Sequence, residues 1–236
     1  MISIINPRLF KNILFLLITL SCLACSHESE GVILDERSEE YELYDYYVDE
    51  FGNEGIVVCI RDSYVVVMSA DESYQSWGPT SEQLYPYGDI MENFNRLDYS
   101  VAMHQLMKAK GIERYPAQNW CDKKNGGKEY SYAGSWRLPS FKELKDIFGA
   151  NGAYVERIQS SLKNIGGTLL STEKMYWTCT EDYIDYITIK DIENDYDPEN
   201  RAVIISCLNE TLGPKDRWIK KNKYYIRAIK YVYYKE

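Results

Sequence analysis

The chain has 236 residues, 45% of them hydrophobic, with 27 bases and 36 acids for a formal charge of −9. Its 22 Tyr, 5 Trp and 6 Phe exclude a wholly disordered chain, because so many rings demand burial. A single apolar run approaching membrane length excludes a polytopic membrane protein, and the acidic balance is the wrong sign for a nucleic-acid partner.

The N-terminus places Arg8 and Lys11 ahead of an apolar stretch, Ile13 to Leu20. A basic region before a short hydrophobic one reads as a secretory signal. It closes on Leu23-Ala24-Cys25-Ser26, which resembles the bacterial lipobox, so residues 1–24 are expected to be a lipoprotein signal peptide. Cys25 is the expected lipidation site, a membrane anchor through several acyl chains. Cys22, behind Leu20-Ser21, fits less well.

Residues 25–50 read as an acidic tether holding ten acids against Arg37 alone, a run that repels itself and stays extended. Ser26-His27-Glu28-Ser29-Glu30 loosely resembles the surface-export signals of some lipoproteins. Tyr41, Tyr44, Tyr46 and Tyr47 suggest that the tether's end packs onto the folded domain. That domain is expected over 51–236, where 24 bases meet 26 acids. Most of the negative charge therefore sits on the stalk, and the head is close to neutral.

Gly55–Ile60 and Tyr64–Met68 are β-branched runs around Arg61-Asp62-Ser63, the pattern of a hairpin. Residues 98–110 predict a helix with Val101, Ala102, Leu106 and Met107 on its apolar face, ended by Gly111. Ser140-Phe141-Lys142-Glu143 after Pro139 is a capping box, followed by Leu144, Ile147 and Phe148 on one face. A further helix carries Val155, Ile158, Leu162 and Ile165 to a Gly166-Gly167 stop. Strands are predicted at Met175–Thr180, Tyr186–Ile189, Ala202–Cys207 and Tyr224–Val232. Strands at both ends with helices between them predict an α+β fold.

The stretch Gly134-Ser135-Trp136-Arg137-Leu138-Pro139-Ser140-Phe141-Lys142-Glu143-Leu144, then Tyr176-Trp177-Thr178-Cys179-Thr180, then Ile226-Arg227-Ala228-Ile229 resembles the Lcl C-terminal domain family of secreted and lipid-anchored bacterial proteins. The match covers most of residues 52–232. It implies a C-type-lectin-like fold: two main helices packed on a twisted, mostly antiparallel sheet with long loops. Several members act as adhesins, so it also implies a binding role. Cys179 departs from the family's serine, and Lys230 stands where a second arginine is common. Read physically, Trp136 and Trp177 are core anchors, Pro139 forbids helix before the Ser140 cap, and Arg137 can pair with a carboxylate or turn carbonyls. The motif residues Trp136, Arg137, Leu138, Pro139, Glu143, Leu144, Tyr176, Trp177 and Arg227 are thus expected to be mainly structural.

The sequence offers no GxSxG, HExxH or phosphate loop, and the chain is expected not to be an enzyme. His104 reads as a helix residue and not as a base. Alternating Asp191, Glu193, Asp195 and Asp197 offer hard oxygens that suit calcium; a solvated acidic loop is the plainer reading, and no other cofactor is expected. Cys59, Cys121, Cys179 and Cys207 allow two disulfides in any of three pairings, or buried thiols. Residues 215–235 hold eight bases against Asp216. Lys220, Lys221 and Lys223 beside Trp218 and Tyr224 are candidates to hold a sulfated or carboxylated glycan by charge and ring stacking.

The expectation is a lipid-anchored outer-membrane protein of the bacterial cell envelope, with its head open to surface exposure. It acts as an adhesin-like binding module for an extracellular glycan or protein. The alternatives are a structural or docking subunit of an envelope complex and, less favoured, a carbohydrate-active enzyme using two acids.

Overall fold

The computed structural model describes residues 41–80, 82, 84, 99–128, 134–181, 201–207 and 217–234, with 217 and 218 described by their backbone alone. These residues build nine strands and four helices. In order they are β1 (Tyr46–Val48), β2 (Glu54–Ile60), β3 (Tyr64–Ser69), β4 (Ser73–Ser76), α1 (Tyr99–Ala109), α2 (Pro116–Lys123), α3 (Phe141–Phe148), α4 (Val155–Asn164), β5 (Met175–Glu181), β6 (Arg201–Ser206), β7 (Arg217–Ile219), β8 (Lys223–Ile226) and β9 (Ile229–Tyr233). One sheet runs β1-β2-β3-β9 and the other β4-β8-β5-β6-β7. Every pairing is antiparallel except β5 with β8. The α+β class expected from the sequence is the class observed, with the strands divided between two sheets where one was expected.

Local rules account for the best-predicted elements. The β2–β3 hairpin forms where the β-branched runs lie, with a register shift between Val57 and Cys59. Gly55 is required at its open end, since a Cβ there would come within 2.6 Å of the Met68 carbonyl oxygen. The α3 capping box is complete: the Glu143 amide donates to Ser140 Oγ at 3.1 Å, and the Ser140 amide donates to Glu143 Oε2 at 2.7 Å. At the end of α4, Gly166 takes φ +70°, and the Gly167 amide reaches back to the Leu162 carbonyl at 2.8 Å. That is the Schellman arrangement expected of the glycine pair.

One core cluster draws residues from both sheets and from the helices. Trp77, Trp136 and Trp177 are fully buried, and Val57, Val65, Val67, Met103, Met107, Cys121 and Ile204 surround them. Rings of this size each remove about 150–250 Å² from water, so three at the centre contribute heavily to the hydrophobic term.

Four features differ from the sequence reading. The helix over 99–109 turns Tyr99, Ser100, Met103, His104 and Met107 inward, while Val101, Ala102 and Leu106 are half-buried. His104 goes inward because Asp122 of α2 meets its Nε2 at 2.9 Å. The second difference is α2 itself, begun by Pro116 at its first turn. Third, the run expected as one strand from Tyr224 to Val232 is two strands in different sheets, broken where Arg227 turns fully inside. Fourth, Tyr46–Val48, at the end of the acidic stretch, pairs with β2 as a sheet edge. The strand expected at Tyr186–Ile189 lies outside the described residues.

Candidate functional site

The WRLPS motif is a junction in which every residue ties two elements together. Arg137 exchanges both backbone hydrogen bonds with Ile229, at 2.9 and 3.0 Å. The Leu138 amide donates to Gln118 Oε1 at 2.9 Å, and the Pro139 carbonyl accepts from the Cys179 amide at 2.7 Å. The Arg137 guanidinium is fully buried. It donates through Nε to Ser100 Oγ at 2.8 Å and through a terminal nitrogen to Glu143 Oε1 at 3.1 Å, and it lies 4.1 Å from the centre of the Tyr231 ring. Glu143 Oε1 also accepts from the Tyr231 hydroxyl at 2.6 Å and from Ser100 at 2.9 Å. One carboxylate therefore caps α3 and neutralises a buried arginine. Burial, with Glu143 alongside, pushes the Tyr231 hydroxyl far above its ordinary value.

Trp177 donates its indole N–H to the Gln75 carbonyl at 3.1 Å. Arg227 is the second buried guanidinium: it donates to the Ser69 and Ala70 carbonyls, both at 3.0 Å, and to Glu72 at 3.2 Å, and it also meets the Thr168 carbonyl. Leu144 and Tyr176 are fully buried. These motif residues are thus internal.

The proposed glycan residues are not brought together. Lys220 is fully buried, ion-paired with Glu181 at 2.6 Å, donating to the Glu82 carbonyl at 2.7 Å and lying 4.6 Å from the Trp77 ring centre. This corrects its place among surface ligands, because its charge is already consumed inside the protein. Tyr224 turns to the core side and packs edge-on against Trp177 with centroids 4.9 Å apart. Trp218 lies on β7, its side chain outside the described residues. Lys221 and Lys223 are exposed.

What does assemble is a face across β4 and β8. Tyr74 pairs with Tyr225 and Ser76 with Lys223 in register, so the period-two alternation of strands puts all four on one side. The Tyr74 and Tyr225 rings sit 5.0 Å apart, and Tyr225 continues to the buried Tyr176 at 6.2 Å. Tyr74 is 52% exposed. The Lys174 ammonium lies 4.6 Å from the Tyr225 ring centre and pairs with Glu72. Glu72 in turn is engaged by Arg227 and, at 3.4 Å, by the Tyr176 hydroxyl. The nearest carboxylate is therefore occupied from below. Among the described residues, Lys221 and Lys223 have no carboxylate partner, and the face presents rings and donors. Sequence reasoning found Lys223 but missed Tyr74 and Lys174. The signal available was the tyrosine at the second position of a short polar strand.

All four cysteines of the domain are free and buried, so none of the three disulfide pairings is formed. Burial pushes the Cys59 thiol up to about 11 and raises Cys121, Cys179 and Cys207 as well. Asp191, Glu193, Asp195 and Asp197, the calcium candidates, lie outside the described residues, as does Cys25. Among the described residues no group of three or more His, Cys, Asp or Glu is placed to hold a metal ion. No helix there is long and apolar enough to cross a membrane.

The fold and this face define a two-sheet α+β domain with an open aromatic edge. No family model matches the chain, and no curated protein matches it. Among solved structures it is similar to a fimbrial protein from Bacteroides ovatus, with a TM-score of 0.50 and 16% identity, over 70% of this chain and 35% of that one. The chain thus spans about a third of that protein's length, and the likeness is one of fold.

Proposed function

We propose that the chain is a lipid-anchored protein of the bacterial outer membrane whose domain is an adhesin-like binding module without turnover. Its ligand is an extracellular glycan or protein taken on the Tyr74–Tyr225 face. The observation that carries the reading is the half-exposed ring of Tyr74, tilted at 54° against Tyr225, next to lysines without a carboxylate partner among the described residues. A sugar ring stacks on such a surface, and its acidic substituents meet Lys223 and Lys221. The fold likeness to a fimbrial protein and the motif resemblance to the Lcl family support a surface-displayed module. The C-type-lectin-like assignment is supported by the meeting of β1 to β3 with β9, the two ends of the domain, in one sheet.

A glycan array with the full chain tests it. Binding to sulfated or carboxylated glycans is expected, reduced by Tyr74→Ala and by Lys223→Gln. An array without binders, from protein shown to be folded, would overturn the glycan reading and leave a protein ligand, whose capture Tyr74→Ala should likewise reduce. The anchor is tested separately, since Cys25→Ala should abolish palmitate labelling and release the protein from membranes. A second reading, docking to other envelope proteins, is favoured by Tyr46, Val48 and Phe51, which stand 49%, 51% and 38% exposed around the β1 edge. Co-purification of a partner lost on Tyr46→Ser would support it.

A further inference from the structure

The segment that leads out of the acidic stretch is fastened in two unequal ways. Residues 44–48 lie along β2 by backbone hydrogen bonds, with the Tyr46 hydroxyl donating to Glu54 at 2.7 Å and Tyr47 packed against the core: the Tyr44 amide donates to the Val57 carbonyl at 2.7 Å, and the Val57 amide donates to the Asp45 carbonyl at 3.0 Å. β1 adds three register pairs at the edge of its sheet. The turn after β1 is fixed to three distant parts of the domain. Asp49 Oδ2 accepts the indole N–H of Trp136 at 2.7 Å, and the Asn53 side-chain amide donates to the Lys124 carbonyl at 2.7 Å. Phe51 packs on Gly126, where an added Cβ would come within 2.5 Å of its ring, and the Lys128 ammonium lies 5.0 Å from that ring's centre. Lys230, buried, has its ammonium 4.0 Å from Asp49 and 5.6 and 5.5 Å from the rings of Tyr47 and Trp136.

The two fastenings respond differently to a pull applied from the N-terminal side. An antiparallel edge strand drawn from one end unzips, so its hydrogen bonds bear the load one after another. At the turn the contacts of Asp49 with Trp136 and Lys230, and of Asn53 with Lys124, are loaded together. Withdrawing Asp49 would also part its carboxylate from the buried Lys230 ammonium, 4.0 Å away. We propose that residues 44–53 form a two-stage mechanical strap. Tension peels β1 from β2 as far as Val48, and the clasp of Asp49 on Trp136 and Lys230 then arrests the peel before load reaches the core. The strap gains its use from the anchored function proposed for the chain, because an anchored adhesin is loaded through this segment, but it concerns the domain alone.

The test is single-molecule stretching of the full chain between handles at its two ends. A reversible low-force step is expected first, from five residues that together span about 17 Å when extended, then a long-lived arrested state and rupture. Trp136→Phe keeps an aromatic ring and removes the donor. Asn53→Ser removes the side-chain bond to Lys124. Each should shorten the arrested state's lifetime at fixed force, Trp136→Phe roughly tenfold, and leave the low-force step unchanged. Rupture without a preceding step overturns the proposal. So does an unchanged arrested lifetime in either variant once its fold is verified by near-ultraviolet circular dichroism. Cys25→Ala should leave the traces as they are, so a failed anchor and a failed strap are read separately.

Discussion

The WRLPS junction and the β4–β8 face are both built of aromatic rings and cations, yet they use them in opposite ways. At the junction, Arg137 and Glu143 are engaged by Ser100, Ser135, Ser140 and Tyr231, and the result is rigid and closed. At the face, Glu72 is engaged from within while Tyr74 and Lys223 point outward. The most recognisable residues of the sequence hold the domain together. The residues of the open face, Tyr74 on β4 and Lys223 and Tyr225 on β8, belong to no motif.

The largest expected effect lies at the junction. Glu143→Ala strips the capping box and leaves Arg137 buried without its carboxylate, so it should cost about 3–5 kcal/mol in chemical denaturation. A loss under about 1 kcal/mol would break the distinction between the two regions. Asp49→Ala comes next, at about 2–3 kcal/mol, since it removes a charge-assisted hydrogen bond to Trp136 and the carboxylate facing Lys230. A chain beginning at Phe51 should be destabilised at least as much.

The Asp49 carboxyl also gives a pH dependence. Burial opposes its ionisation, but hydrogen bonds from Trp136 and Asn53 outweigh that and hold it below the ordinary 3.8. A depressed carboxyl stabilises fully above its unfolded value and loses that contribution as pH falls through the folded one. Asp49→Asn should therefore flatten the fall in denaturation midpoint below about pH 4; parallel profiles would remove Asp49 from this role. The thiols come next. Cys59 is 6% exposed and Cys121, Cys179 and Cys207 no more than 1%, with raised thiols throughout, so a disulfide reagent should label them only as fast as the protein opens. The smallest effect on stability belongs to the face: Tyr74→Ala and Lys223→Gln should change it by under about 0.5 kcal/mol while weakening glycan retention.

Elements set by local rules were legible. The capping box, the glycine stop and the β-branched hairpin each announce themselves within a few residues, and burial of Trp136 and Trp177 followed from ring size. What depended on distant partners was not. Lys220 and Lys223 are three residues apart and equally basic in sequence. One is buried because Glu181, 39 positions away, receives it; the other is exposed because its strand alternates outward. His104 was half-readable, as a helix residue whose inward turn depends on Asp122. The Tyr74 face required the β4–β8 register, which joins residues some 150 positions apart.

The break between β8 and β9 has a consequence for how the protein is made. β8 supplies the second strand of one sheet and β9 closes the other, so residues 223–233 stitch both at once. A chain still in synthesis can form the β2–β3 hairpin and the helices, but neither sheet can be finished until that last stitch has emerged. Until then the three tryptophans lack a completed core, so the order in which the strands emerge makes residues 223–233 the step on which both sheets wait.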